Sequence, residues 1–295
     1  MQYRFLLPLI LFSLAQHSVT NAQELKSFEI SGYPELREIM EATSPAYLQT
    51  TSVNRIALET GVTLEYAASG NPGGKPVIFL HGFTDSRHSF NYLVPKLTGD
   101  IRVIVITQRG HGESEKPLSG YRPEDFAADL DAFMSALNLE KAIIVGHSLG
   151  ATIAQSFAID YPSKTEALVL LGAIPNLRTN PALLEFGSQV ALLKDPVDHA
   201  FASDFQKSTI NLPIPPTYLD SVINETLKVP SIVWKAVIAA LTKSDYSKMV
   251  KNISAPVLII YGDKDNFSLP GDQENLRSAI PASRLNVYNG VGHAI

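Results

Sequence analysis

The sequence contains no cysteine among its 295 residues, and charged residues make up only 18% of it. The absence of cysteine excludes disulfides, thiolate metal sites and lipid attachment through cysteine. Acidic residues outnumber basic ones, 29 against 24, and neither sign is clustered, so the charge gives no reason to expect nucleic acid as a partner. The 45% hydrophobic content excludes a mainly disordered chain, and the length favours one large domain over several small ones.

Long apolar runs are also missing. The most apolar stretch, residues 5–15, is about a dozen residues long and is interrupted by Pro8, so it is too short to cross roughly 30 Å of hydrocarbon. It follows a short positive start and precedes small or polar residues that end at Ala22. This three-part order predicts a cleaved secretory signal over residues 1–22, and hence an exported protein with no stable membrane insertion. The alternative is a membrane anchor.

From residue 53 onward the sequence alternates between strand and helix patterns. Alternating apolar residues on both sides of residues 60–61 predict a β-hairpin over 56–66. Short continuous runs rich in Val and Ile predict strands buried on both faces at residues 76–80, 101–106, 142–145, 167–171 and 256–261. Helical patterns separate them at residues 89–97, 123–137, 149–161 and 273–280. The alternation predicts an α/β fold with a doubly wound, mostly parallel sheet.

Residues 175–252 break this alternation, because they hold no convincing buried strand. Helical patterns occur instead at residues 183–193, 218–227 and 233–241. We predict a helical lid over 175–252, inserted into a core of residues 53–174 and 253–295, with residues 23–52 as an N-terminal extension. An insertion after Leu171 is expected over the carboxyl ends of the strands, where open α/β sheets bind ligands. The alternative is a helical appendage with no contact with the site.

The sequence Gly146-His147-Ser148-Leu149-Gly150 stands directly between a predicted strand and a predicted helix. A Gly-x-Ser-x-Gly pattern in this position is typical of a nucleophilic serine on a tight turn, with glycines where strand and helix nearly touch. The N–H of Leu149 opens the helix and is a candidate oxyanion donor. The turn is expected to direct His147 away from Ser148. The alternative is a structural Gly-Ser turn.

A serine hydroxyl needs a general base, and His293 is the candidate because it follows Gly292 in a loop after the apolar stretch at 285–288. Asp265 follows the predicted strand at 256–261 and is the candidate for orienting the imidazole. Asp263 is the alternative carboxylate, interpreted as a solvated turn residue or a cap. The resulting chain order is serine, aspartate, histidine.

A second oxyanion donor is predicted in the loop His81-Gly82-Phe83, which follows the predicted strand at 76–80. Glycine there lets the backbone approach a substrate closely, and we assign the donor to the N–H of Phe83. The alternative is an ordinary strand-to-helix turn.

Together these motifs resemble the α/β-hydrolase superfamily, in the branch that holds small esterases, lactonases, carbon–carbon hydrolases, cofactor-free haloperoxidases and proline iminopeptidases. The resemblance runs from about residue 53 to the end, is weak in the lid, and is carried by residues 81–84, 108–114, 146–150, 262–265 and 292–293. In the family the loop at 108–114 is structural and usually begins with aspartate, which is Thr107 here, so Arg109 and His111 are interpreted as structural. The family continues past the histidine with a helix, whereas this chain stops at Ile295, which leads us to expect a partial sequence.

The resemblance implies a serine hydrolase that cleaves a small-molecule carboxylic ester or lactone through an acyl-enzyme on Ser148. A carbon–carbon hydrolase, a proline-type peptidase or a perhydrolase would use the same triad, and a non-catalytic ligand-binding protein is the alternative from another class. Serine as nucleophile disfavours dehalogenases and epoxide hydrolases, which use aspartate. The sequence has no metal cluster and no dinucleotide fingerprint, so no cofactor is predicted. No motif in the sequence indicates the identity of the substrate or the oligomeric state.

Overall fold

The computed structural model describes residues 51–97 and 99–295. The predicted signal at 1–22 and nearly all of the predicted extension lie outside the described residues. Within them, a single sheet has the strand order β1-β2-β4-β3-β5-β6-β7-β8. The strands are β1 (Ser52–Ala57), β2 (Thr63–Gly70), β3 (Lys75–Leu80), β4 (Ile101–Ile106), β5 (Ala142–His147), β6 (Thr165–Leu171), β7 (Val257–Gly262) and β8 (Ser283–Tyr288).

The pairing of the strands confirms a mostly parallel α/β sheet. Strands β1 and β2 form the predicted antiparallel hairpin, and β2 pairs antiparallel with β4. Every pair from β4 through β3, β5, β6 and β7 to β8 is parallel. The carboxyl ends of these parallel strands therefore lie at one edge of the sheet.

The central strands hold continuous apolar runs because both faces of the sheet are covered along most of their length. Alternate residues enter two separate cores, as a strand's period of two requires. In β3, Ile78 and Leu80 pack in the core beneath the helices that follow β4 and β5, whereas Val77 and Phe79 pack on the opposite face. This burial explains why continuous Val and Ile runs marked the strands so clearly.

Seven α-helices connect the described strands. Three cover the sheet, at α1 (Pro123–Ala136), α2 (Leu149–Asp160) and α7 (Pro270–Ala279), close to the predicted positions. Four others lie between β6 and β7 and are called the helical insert: α3 (Pro181–Val190), α4 (His199–Thr209), α5 (Pro216–Leu227) and α6 (Ser231–Leu241). Helix α3 packs on α6, and α4 packs on α5. None of the helices in residues 51–97 and 99–295 is both long and apolar enough to cross a bilayer.

Two details of the helix prediction are wrong. Residues 89–97 do not form a helix; the segment holds two short 3₁₀ turns, Arg87–Phe90 and Val94–Lys96. Pro95 explains the difference, because it has no N–H and disfavours helical backbone at the residue before it. Helix α4 was not predicted at all. Its buried face includes Ser203, Gln206 and Thr209, so the apolar periodicity that marks a helix is interrupted there.

Candidate active site

Ser148 lies on the tight turn at the carboxyl end of β5. Its backbone has φ +52° and ψ −113°, a conformation that residues other than glycine rarely adopt. The surrounding backbone enforces it. The Ser148 N–H donates to the carbonyl of Leu171 at 2.9 Å, and the Ser148 carbonyl accepts from Ala151 and Thr152 at 2.9 and 3.0 Å. The turn thus presents a serine side chain at the edge where the parallel strands end.

The two glycines of the motif are needed because three backbone segments nearly touch at this turn. A Cβ added to Gly146 would lie 2.3 Å from the carbonyl oxygen of Gly150. A Cβ added to Gly150 would lie 2.2 Å from the carbonyl oxygen of Leu80, at the end of β3. Both distances are far below any tolerated contact, so only glycine allows α2 to start this close to the sheet.

We expect Gly150→Ala to lower the free energy of unfolding by about 3 kcal/mol or more, because the obstructing atom is a backbone oxygen that cannot rotate away. The matched control is Gly271→Ala in the first turn of α7, where an added Cβ meets nothing within 4 Å. This control should be neutral or slightly stabilising. Urea unfolding followed by circular dichroism measures both variants, and equal midpoints for the two would contradict the close approach.

Three predicted residues from three separate loops meet in one hydrogen-bonded relay. The Nε2 atom of His293, in the loop after β8, lies 2.8 Å from the Oγ of Ser148. The Nδ1 atom of His293 lies 2.7 Å from the Oδ2 of Asp265, in the loop after β7. Both the aspartate and the histidine are buried. The structure therefore brings together hydroxyl, imidazole and carboxylate at the carboxyl edge of the sheet.

The environment of Asp265 keeps its carboxylate ionised. Burial by itself raises the pKa of Asp265, but the hydrogen bond and charge of His293 and the donors of Ser268 outweigh it, so the pKa lies below the ordinary value. The N–H groups of Phe267 and Ser268 donate to Oδ1 at 2.7 and 2.9 Å, and the Ser268 hydroxyl donates to Oδ2. An ionised Asp265 accepts the Nδ1–H of His293, which leaves Nε2 free to accept the serine proton.

Asp263, the alternative carboxylate, has a different contact. Its Oδ1 accepts the N–H of Gly290 at 2.6 Å, at the start of the loop that carries His293. The structure thus places Asp265 against the imidazole and Asp263 against the backbone of the same loop.

The helical insert also holds the His293 loop, a link that no sequence pattern signalled. The Ala294 N–H donates to the carbonyl of Thr209, the last residue of α4, at 2.8 Å. The Asn211 side chain donates to the carbonyl of Gly290 at 3.0 Å. A Cβ on Gly292 would lie 2.8 Å from the same Thr209 oxygen, so the two segments are in close contact. Helix α4 therefore positions the histidine as well as lining the site.

His147, predicted to be directed away from Ser148, contacts the His293 loop and lines the same cavity as Ser148. Its Nε2 atom donates to the carbonyl of His293 at 2.8 Å, and its ring centroid is 5.2 Å from that of His293. The ring occupies space that a side chain on Gly82 would fill, since a Cβ there would lie 2.8 Å from Nδ1 of His147. Burial, followed by the charge of His293, lowers the pKa of His147 to about 4, so it is neutral and positions the histidine loop.

The predicted oxyanion donors both line the cavity beside Ser148. Phe83 and Leu149 are buried, and within residues 51–97 and 99–295 neither backbone N–H has a protein acceptor. Thr84, the next residue after Phe83, has φ +65°, which is unusual for a β-branched side chain. Its hydroxyl lies 3.3 Å from that of Thr226 in the insert. Contacts with the insert therefore fix the backbone of the Phe83 loop.

The loop after β4 supports the site from outside it. Arg109 makes a buried bidentate pair with Asp129 at 2.6 and 2.5 Å. Thr107 donates its hydroxyl to Glu65 at 3.1 Å. The Glu65 carboxylate also pairs with Arg87 at 3.3 Å. A carboxylate from β2 thus occupies the neighbourhood of Thr107.

A cavity of about 300 Å³ opens beside Ser148 and His293. Core loops form one side of it, and all four helices of the insert form the other. The insert contributes mainly apolar side chains, and the exceptions are Gln206, Thr209 and Tyr218. On the core side, Asp85 adds a carboxylate close to the Phe83 loop.

We expect Asp85→Asn to stabilise the fold by about 3 kcal/mol well above pH 6. Burial raises the pKa of Asp85 from 3.8 to about 6, although hydrogen bonds from Gln206 and Ser89 oppose the shift. Between these pH values the unfolded chain has lost the proton and the folded chain keeps it, so wild-type stability falls as the pH rises. The stability difference between variant and wild type should grow through this window and then level off. Thermal unfolding at stepped pH measures it, and a pH-independent difference would contradict the assignment.

Comparisons with known proteins agree with this architecture. A family model described as "alpha/beta hydrolase fold" matches residues 75–295. The chain is 28% identical over 252 residues to a putative 2-succinyl-6-hydroxy-2,4-cyclohexadiene-1-carboxylate synthase of Bacillus subtilis, covering 81% of this chain and 91% of the relative. It is 26% identical over 251 residues to Lipase 1 of Psychrobacter immobilis, covering 82% and 78%. A bromoperoxidase structure from Bacillus anthracis superposes with a TM-score of 0.74 at 25% identity, covering 82% and 93%.

Proposed function

This chain belongs to the α/β-hydrolase fold family, and from this premise we propose that it cleaves carboxylic esters or lactones through an acyl-enzyme on Ser148. The observation that carries the proposal is the relay from Ser148 Oγ to His293 Nε2 at 2.8 Å and from His293 Nδ1 to Asp265 Oδ2 at 2.7 Å, beside a mostly apolar cavity. The similarity to Lipase 1 of Psychrobacter immobilis supports an ester as the substrate.

In the acylation step, the Ser148 oxygen attacks the substrate carbonyl while His293 Nε2 takes the serine proton. The carbonyl electron pair moves to the oxygen, and the N–H groups of Phe83 and Leu149 stabilise this oxyanion. Asp265 stabilises the imidazolium through its bond to Nδ1. Collapse of the intermediate breaks the ester C–O bond, and His293 donates its proton to the departing alkoxide.

In the deacylation step, His293 takes a proton from water, and the resulting hydroxide attacks the acyl carbon. The Ser148 oxygen then leaves, recovers its proton from His293, and the carboxylic acid is released. A lactone follows the same path, with alcohol and acid remaining in one product. No step requires a group beyond these side chains, two backbone amides and water.

The proposal is tested with purified protein on p-nitrophenyl esters of rising acyl length, a set of lactones, and a prolyl amide. We expect ester or lactone hydrolysis to exceed prolyl amide hydrolysis by tenfold or more, about 1.4 kcal/mol in the barrier. Labelling with a fluorophosphonate, located by peptide mass spectrometry, should modify Ser148. A folded protein that takes no label would favour the non-catalytic binder. A labelled protein with no activity on any ester or lactone would instead favour the peptidase, carbon–carbon hydrolase or perhydrolase.

A further inference from the structure

A carboxylate in the wall of the cavity has no task in the mechanism above. Asp85 lines the cavity two residues after Phe83, and its N–H closes a turn onto the carbonyl of Gly82 at 3.2 Å. A Cβ on Gly82 would lie 3.2 Å from Asp85 Oδ2 and 2.8 Å from Nδ1 of His147, the residue before the nucleophile. The carboxylate is therefore close to the place where a bound ester would react.

The insert holds this carboxylate in a fixed position. The Gln206 amide nitrogen, on α4, lies 3.1 Å from Asp85 Oδ1. The same nitrogen lies 2.7 Å from the Thr226 hydroxyl and 3.3 Å from that of Thr84. The Ser89 hydroxyl also interacts with Asp85 and lowers its pKa. An ionised carboxylate has about four acceptor sites, so these two groups leave capacity for a donor on a ligand.

The protein supplies no permanent counter-charge within the cavity, although the charge of His293 lowers the pKa of Asp85. Among the described residues that line it, there is no lysine and no arginine. Burial raises the pKa of Asp85 to about 6, which still leaves the group mostly ionised at neutral pH. A half-buried carboxylate without a permanent cationic partner is costly to keep ionised, and such groups are concentrated at functional sites.

The polar side chains that the insert helices contribute to the cavity all come from α4 and α5. Helices α3 and α6 contribute only apolar side chains to its lining, namely Leu183, Phe186, Ile238 and Leu241. Gln206 and Tyr218 of the α4–α5 pair lie on the side of Asp85, where the Tyr218 hydroxyl donates to the Ser89 carbonyl at 3.1 Å. The cavity therefore combines an apolar half with a half that offers a hydrogen-bond acceptor of negative charge.

We propose that Asp85 is a specificity-determining residue that selects esters or lactones carrying an ammonium or hydroxyl group near the scissile bond. The donor group binds the Asp85 carboxylate, and the apolar remainder of the substrate packs against α3 and α6. Gln206 is a positioning residue, because its amide nitrogen, 3.1 Å from Asp85 Oδ1, orients the carboxylate. This inference rests on the proposed ester or lactone hydrolysis.

The test uses ester pairs that differ only by a donor group and its apolar isostere. With the donor on the alcohol, dimethylaminoethyl butyrate is paired with isopentyl butyrate, and hydroxyethyl butyrate with propyl butyrate. With the donor on the acid, methyl β-(dimethylamino)propionate is paired with methyl isocaproate, and methyl β-hydroxybutyrate with methyl isovalerate. The kcat/KM of each ester is divided by its rate of alkaline hydrolysis. The dimethylamino esters test an ammonium donor, and the hydroxy esters test a hydroxyl donor.

In the wild type we expect the donor-bearing member of at least one pair to be favoured by about tenfold or more, the range of a hydrogen bond to a charged group. Asp85→Asn should reduce this preference by about the same factor, and Asp85→Glu, which keeps the charge, should retain part of it. The matched control is Asp204→Asn, which removes an exposed carboxylate from α4 and should leave every ratio unchanged.

The outcomes separate this inference from the proposed function. A wild type that hydrolyses the apolar esters without preferring any donor overturns the inference and leaves the proposed function standing. A wild type inactive on all esters and lactones overturns both. Equal losses on both members of each pair in folded Asp85→Asn, including complete loss of activity, would show that Asp85 does not select substrates. Its folding is checked independently by thermal unfolding.

Discussion

Ser148→Ala is expected to lower kcat for the best ester by about 10⁴-fold or more, with KM little changed. In the proposed mechanism the hydroxyl oxygen forms the acyl bond, and without it His293 has no nucleophile to deprotonate. The residual rate would come from the oxyanion donors and substrate binding alone. Steady-state kinetics on the wild type and the variant measure the loss, and fluorophosphonate labelling should disappear together with activity.

The control for this prediction is Ser221→Ala, which removes an exposed hydroxyl that only donates to the Tyr218 carbonyl. It should keep wild-type kinetics and labelling. The fold should survive in Ser148→Ala, because the substitution removes only the hydroxyl and adds no bulk. The turn itself is fixed by backbone hydrogen bonds to Leu171, Ala151 and Thr152. If pure Ser148→Ala protein kept more than about one hundredth of wild-type activity, Ser148 would not be the nucleophile.

Asp265→Asn is expected to lower kcat by about 10³- to 10⁴-fold through the wrong tautomer of His293. The hydrogen bonds around Asp265 predict the orientation of the asparagine side chain that replaces it. The N–H groups of Phe267 and Ser268 donate to Oδ1, so the amide oxygen of asparagine takes that place. Its NH₂ group then faces Nδ1 of His293, which must accept instead of donate. The proton moves to Nε2, and the imidazole can no longer accept the proton of Ser148.

Asp263→Asn is the matched comparison, because it makes the same chemical change two residues away. Asparagine at this position keeps an oxygen acceptor for the Gly290 N–H, so activity should stay within about threefold of wild type. Kinetics of both variants on the same ester, with circular dichroism to check folding, decide between the two carboxylates. Comparable losses in the two variants would contradict the assignment of Asp265 as the partner of the imidazole.

The strands and the residues of the relay could be predicted because their signals are local. Parallel strands that are covered on both faces need continuous apolar runs, and β3, β4 and β5 have them at residues 76–80, 103–106 and 142–145. The turn at Ser148 needs small residues on both sides of it, because a Cβ on Gly150 would lie 2.2 Å from the carbonyl oxygen of Leu80. Loops after β7 and β8 must lie at the same edge of the sheet as the loop after β5, so the topology alone predicts that Asp265 and His293 lie near Ser148.

The parts that were missed depend on partners distant in sequence. Helix α4 has polar residues on its buried face because Gln206 contacts Asp85 and because Thr209 ends against the His293 loop. No periodicity reveals a helix whose inward face is chosen for such contacts. The contacts of His147 were missed for the same reason, since its orientation depends on the space left by Gly82 and on the carbonyl of His293.

By itself, the sequence determined a mostly parallel sheet and the identities of Ser148, Asp265 and His293, because chain direction and backbone sterics act over a few residues. Only the tertiary structure decided which side chains surround that relay. The packing of the insert against the core placed Asp85 in the cavity wall, turned His147 toward the His293 carbonyl and joined Thr209 to the histidine loop. Those contacts join residues far apart along the chain, and the energies that select them exist only after the elements have packed.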